Sequence, residues 1–125
     1  MSILLKQVRN LRHCVIDGYY YKISSPYLNN IYDSVNIFSG NTNLNNFNKD
    51  YNLYSSDWDC NDLSEIQTAT WWCAKNSELW KKNKSKIYLI SKNEGFYNLY
   101  QLLKKEDINV YWNSKLPWEV ISTQN

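Results

Sequence analysis

The chain has 125 residues, 14 basic and 12 acidic, for a net charge of +2. One domain is expected at this length, and so weak a field excludes any argument for nucleic acid or a membrane surface from net charge alone. Aromatic residues make up 16% of the chain, eleven of them Tyr and six Trp, which supplies a core despite a mean hydropathy of -0.63.

Three cysteines, Cys14, Cys60 and Cys73, have neither the even number nor the tight spacing of a disulfide framework or a zinc site. His13 is the only histidine, which argues against a metal centre. The apolar start Ile3-Leu4-Leu5 is interrupted by Lys6 and Arg9, too short for a leader core or a membrane span. A reduced, cytoplasmic protein with no membrane partner is the expectation.

Two β-forming runs, about 12–16 and 19–24, flank Asp17-Gly18, a strong short-range hairpin signal. Pro26 ends the second run, and Leu28, Ile31 and Tyr32 predict a short helix over 27–33. A strand follows over 34–38. Residues 39–51, dominated by Asn, Gly, Thr and Ser, read as a surface loop. Leu53 to Asp57 reads as a strand ending in serines.

Ser64 with Gln67 fits a capping box, and Asp62 could replace Ser64, so a helix over about 64–82 is well signalled. Its stripe of Ile66, Ala69, Cys73 and Trp80, widened by Trp72 and Leu79, should pack on the sheet. Lys81, Lys82, Lys84 and Lys86 read as its solvated C-terminal end, where cations are favoured. Residues 86–91 form a strand covered on both faces. Asn93 caps a helix over 94–105 with Phe96, Leu99, Tyr100 and Leu103 at helical spacing. Strands over 108–112 and 118–122, joined by a turn at 113–117, close the chain. This order argues an α+β single domain over 1–125, with a mainly antiparallel or mixed sheet packed by two main helices.

No phosphate loop, dinucleotide fingerprint or Ser/His/Asp spacing is present. The blocks Tyr21-Lys22-Ile23-Ser24, Phe38-Ser39-Gly40, Leu53-Tyr54-Ser55-Ser56-Asp57, Ala69 to Ala74, Ile87 to Ile90 and Trp118-Glu119-Val120-Ile121 resemble the successive blocks of small mono-ADP-ribosyltransferase domains. The resemblance implies NAD as donor. It implies Glu119 as the late-strand carboxylate, Ser55 or Ser56 as the strand-end serine, Tyr54 as the ring that stacks on nicotinamide and His13 as the ribose contact. A carboxylate beside the oxocarbenium-like charge that develops on cleaving the nicotinamide bond would stabilise it, as in glycosidases. The chain departs from the pattern at Lys22, where one subgroup has Arg, and it lacks the Glu-x-Glu pair because Pro117 precedes Trp118-Glu119.

The leading function is protein binding without a cofactor, as in a toxin-immunity protein or a phage inhibitor of host defence. Tyr and Trp are enriched at interaction hot spots, and this chain has more of them than its interior can take. Tyr19, Tyr20, Tyr27, Tyr32, Trp58 and Trp112 are the candidate contacts with another protein. The NAD-dependent enzyme is the alternative. Single-strand nucleic acid, gripped by lysines 81–86 with Trp80, Tyr88 or Trp112 as stacking platforms, is disfavoured by the net charge.

Overall fold

The computed structural model describes residues 11–39, 47–55 and 62–116. Five strands form one sheet: β1 (Arg12–Asp17), β2 (Ser34–Ser39), β3 (Asn52–Ser55), β4 (Lys86–Ile90) and β5 (Asn109–Asn113). Their spatial order is β3-β2-β1-β4-β5, and every neighbouring pair is parallel. The expected α+β domain with a mainly antiparallel or mixed sheet is therefore corrected to an α/β fold.

The correction has a physical cause. Parallel strands need crossovers of about a dozen residues or more. The connections here, residues 18–33, 40–51, 56–85 and 91–108, are all that long. Asp17-Gly18 does not close a hairpin; it ends β1. Residues 19–24 are not a strand either, and only Ile23 makes an isolated parallel bridge, to Phe47. The expected strand over 118–122 lies outside the described residues.

Helix α1 (Asp62–Asn83) links β3 to β4, and helix α2 (Glu94–Lys105) links β4 to β5. Asn93 starts α2 by accepting from the Gly95 amide through its side chain, 2.7 Å away. Helix α1 stops at Lys84, which takes the left-handed conformation (φ 57), while the Ser85 amide donates back to the Trp80 carbonyl. The expected helix over 27–33 is a single 3-10 turn, Pro26–Asn30, capped by Ser25.

Both faces of the sheet are covered. On one, Ala69, Cys73 and Trp80 of α1 and Phe96, Leu99 and Leu103 of α2 pack on Val15, Phe38, Ile87, Leu89 and Val110. On the other, Tyr21, Ile23, Leu28, Phe47 and Tyr51 pack on Cys14, Ile16, Val35 and Ile37. The division follows from handedness: right-handed crossovers running from β1 outward to β3 lie on one face, and those running from β3 back to β4 and β5 lie on the other. Segment 39–51 is thus more than a surface loop, since Phe47 and Tyr51 are buried. Leu79, expected on the packed stripe of α1, is instead 56% exposed.

Burial of three large apolar side chains such as Phe38, Phe96 and Leu89 contributes about 1.5–3 kcal/mol each, so the helical layer is a main source of stability. Cys14 and Cys73 are free and buried; burial pushes both thiols up, Cys73 to about 12, which makes them inert.

Candidate interaction surface

In a parallel sheet the chain order reverses direction at one point, and ligands of such sheets meet the carboxyl ends of the strands there. Here that point lies between β1 and β4. Asp17 ends β1 and is fully buried. One of its carboxylate oxygens accepts from the Ser91 hydroxyl just after β4 at 2.8 Å, and the other accepts from the Tyr19 amide at 3.0 Å. The Ser91 hydroxyl oxygen accepts in turn from the Asn93 amide at 2.9 Å. A linked set of hydrogen bonds in a buried site holds its members more firmly than the same bonds exposed to water. The ends of β1 and β4 and the start of α2 are tied together through it.

The next residue explains why the chain turns here. A Cβ on Gly18 would stand 2.9 Å from the Phe38 carbonyl oxygen and 2.8 Å from the Ser39 Cβ, so only glycine lets the backbone pass this close to β2. The Gly18 amide donates to the Phe38 carbonyl at 2.8 Å, and the Tyr20 amide reaches the Asp17 carbonyl at 3.4 Å.

Tyr19 and Tyr20 stand on this pinned turn. They are 47% and 45% exposed, and their rings meet edge to face with centroids 5.0 Å apart. Tyr21 turns inward instead: its hydroxyl donates to the Ser114 carbonyl after β5, and the Lys92 ammonium lies 5.7 Å from its ring centre. Further along the crossover, Tyr27 is 49% exposed on the 3-10 turn. That turn is itself anchored, because the Tyr51 hydroxyl accepts from the Leu28 amide and donates to the Ser25 carbonyl. An α-helix on this crossover would have buried its apolar side. A short 3-10 turn leaves tyrosines outside.

Tyr32, just before β2, and Trp112, on β5, are half-buried. Tyr32 lies tilted against Tyr88, which stacks on Tyr111 on the face away from the helices. Trp112 meets Tyr97 on the helical face. Trp58 lies outside the described residues.

Among the described residues tied to NAD, His13 does not meet Tyr54 or Ser55. His13 lies on the helical face near the start of β1, where its Nδ1 is 2.6 Å from the Ser34 hydroxyl and its ring stacks on Trp80. Burial lowers its pKa and Asp33 raises it, with burial the larger effect. Ser55 is exposed at the far end of β3. Its partner Ser39 is five residues beyond the Ser34 that pairs with His13, about 16 Å along the strands. Tyr54 lays its ring against Phe38 with centroids 4.9 Å apart and touches Trp72, so its aromatic face is occupied. Ser56 and Glu119 lie outside the described residues. The β1–β2 crossover also has neither a glycine-rich loop nor an α-helix whose N-terminus could hold a phosphate.

The lysines 81–86 lead into the start of β4, at the opposite end of the strands from Asp17. Trp80 is buried, and Lys81 pairs with Glu106 at 3.1 Å. Among the described residues no group of three His, Cys, Asp or Glu is placed to hold a metal ion, and no helix is long and apolar enough to cross a membrane. Comparison with protein-family models, with curated proteins and with solved structures returns no match. Sequence reasoning passed over Asp17, Gly18 and Ser91 as a mount; an Asp-Gly pair directly after the apolar run Cys14-Val15-Ile16 was the available signal.

Proposed function

We propose that the chain is a cytoplasmic protein-binding module whose contact surface is built on Tyr19, Tyr20 and Tyr27, of the kind that neutralises another protein, as a toxin-immunity protein or an inhibitor of host defence does. The observation that carries the reading is the mounting of the exposed pair Tyr19 and Tyr20 on a turn anchored to the buried Asp17. Tyrosine offers a large amphipathic surface with few rotatable bonds, and a turn held in place loses little further entropy when a partner arrives. Such a surface supports binding without a cleft.

The test is affinity capture from an extract of the source cell with the full chain as bait, alongside the Tyr19→Ala/Tyr20→Ala double variant. One stoichiometric protein on the wild type, lost from the variant at unchanged melting temperature, is the expected result. Equal capture by both forms would refute the assignment of this surface.

A further inference from the structure

We infer that β5 is the self-association edge of this protein, pairing antiparallel with β5 of a second copy about a two-fold axis at Tyr111. Among the described residues β5 ends the sheet, with a strand on one side only. Exposed edges are normally protected by Lys, Pro or a bulge. The β5 sequence Asn-Val-Tyr-Trp-Asn contains none of these.

The backbone fixes which groups point outward. The Asn113 carbonyl accepts from the Ser91 amide, and Asn113 pairs with Ile90 in the parallel register, so Asn113, Tyr111 and Asn109 direct their backbone groups at β4. By alternation, Val110 and Trp112 direct theirs away from the sheet. A two-fold at Tyr111 sets Val110 opposite Trp112 of the other copy, so each pair exchanges both amide-to-carbonyl bonds, four in all. Tyr111 then faces its own copy in the closely spaced, non-bonded position, where side chains approach most nearly.

The side chains agree with that register. Tyr32, Tyr88 and Tyr111 form an aromatic row on one face, Tyr32 tilted against Tyr88 with centroids 5.3 Å apart and Tyr88 stacked on Tyr111 at 4.9 Å. Tyr111, 46% exposed at the end of the row, would meet Tyr111 of the second copy and join two rows into one. On the helical face, Trp112 of the second copy lies over Val110, in a hollow of about 590 Å³ lined by Tyr100, Lys104, Ile108 and Val110. No charged residue lies within β5 to be set against its like in this register.

Sedimentation equilibrium of the full chain tests this, with variants checked for folding by their melting temperatures. The wild type is expected to dimerise at micromolar concentration. Tyr111→Lys puts two ammonium groups at the axis and should weaken the dimer about tenfold or more. A wild type that stays monomeric at 100 µM (about tenfold above the expected range) would overturn the inference. So would slow amide exchange at Val110 and Trp112 in a monomer, which would place the chain's own residues on the edge. A dimer that Tyr111→Lys does not weaken would assign self-association to another surface. Tyr19, Tyr20 and Tyr27, which carry the proposed contact with another protein, do not enter this interface, so the dimer and the capture of another protein succeed or fail separately.

Discussion

Ser91→Ala removes the hydroxyl that ties β4 to β1. The hydroxyl donates to the fully buried Asp17 carboxylate at 2.8 Å and accepts from the Asn93 amide at 2.9 Å. Removing one partner of a buried hydrogen bond costs about 1–3 kcal/mol, and an amide left without its acceptor in a part-buried position costs on the order of 1 kcal/mol more. The methyl that remains fills almost the same volume, so no cavity offsets or adds to the loss. The expected destabilisation is about 3 kcal/mol, which for a chain of this length lowers the melting temperature by about 10 °C. Urea unfolding of wild type and variant at pH 7 measures it, with an unchanged slope showing that the change lies in the folded state. A loss below about 0.5 kcal/mol, the level of an ordinary surface substitution, would refute the claim that Asp17 and Ser91 form a structural clamp.

Gly18→Ala should destabilise by about 1–3 kcal/mol, because its methyl meets the Phe38 carbonyl oxygen, which cannot yield without disturbing β2; an unchanged urea midpoint would count against the close approach. His13 is held below its ordinary pKa by burial, so the folded state binds fewer protons than the unfolded one. Stability from this source is complete above pH 6.5 and falls as pH drops below that unfolded value. Between pH 7.5 and 5.5 the wild type should therefore lose more stability than His13→Gln, and equal losses would show that His13 is not the group responsible. Lys81→Ala should cost less than about 1 kcal/mol, since its partner Glu106 is exposed; a larger loss in thermal unfolding would give the lysine cluster a role beyond ending a helix.

The helices were legible because their signals are local. Asn93 and the spacing of Phe96, Leu99 and Leu103 fixed α2 at both ends, and the stripe of Ala69, Cys73 and Trp80 identified the buried side of α1. The positions of β1 to β5 were legible for the same reason, although residues 19–24, equally rich in β-formers, make no strand. Strand partners were not. Asp17-Gly18 favours a hairpin in isolation, but Cys14, Val15 and Ile16 are all apolar and need cover on both faces, which a two-stranded ribbon does not supply. The connection lengths carried the deciding signal, since each can hold a crossover. Tyr19, Tyr20 and Tyr27 could be read as surplus from composition, whereas their mounting depends on Asp17 meeting Ser91, 74 positions later. No local pattern contains that contact. His13 and Ser55 look compatible in a linear order of blocks, yet the parallel register places them at opposite ends of the sheet.

The most direct measurement is the dissociation constant of the captured partner, purified, for the wild type, for Tyr19→Ala/Tyr20→Ala and for Ser91→Ala. Hot-spot tyrosines lose about 2 kcal/mol or more on truncation, so the tyrosine variant should bind at least about thirtyfold more weakly at unchanged melting temperature. Ser91→Ala should weaken binding as well, by loosening the turn beneath an intact pair of rings. Wild-type affinity in the tyrosine variant would contradict the assignment, and wild-type affinity in a destabilised Ser91→Ala would contradict the role of the clamp.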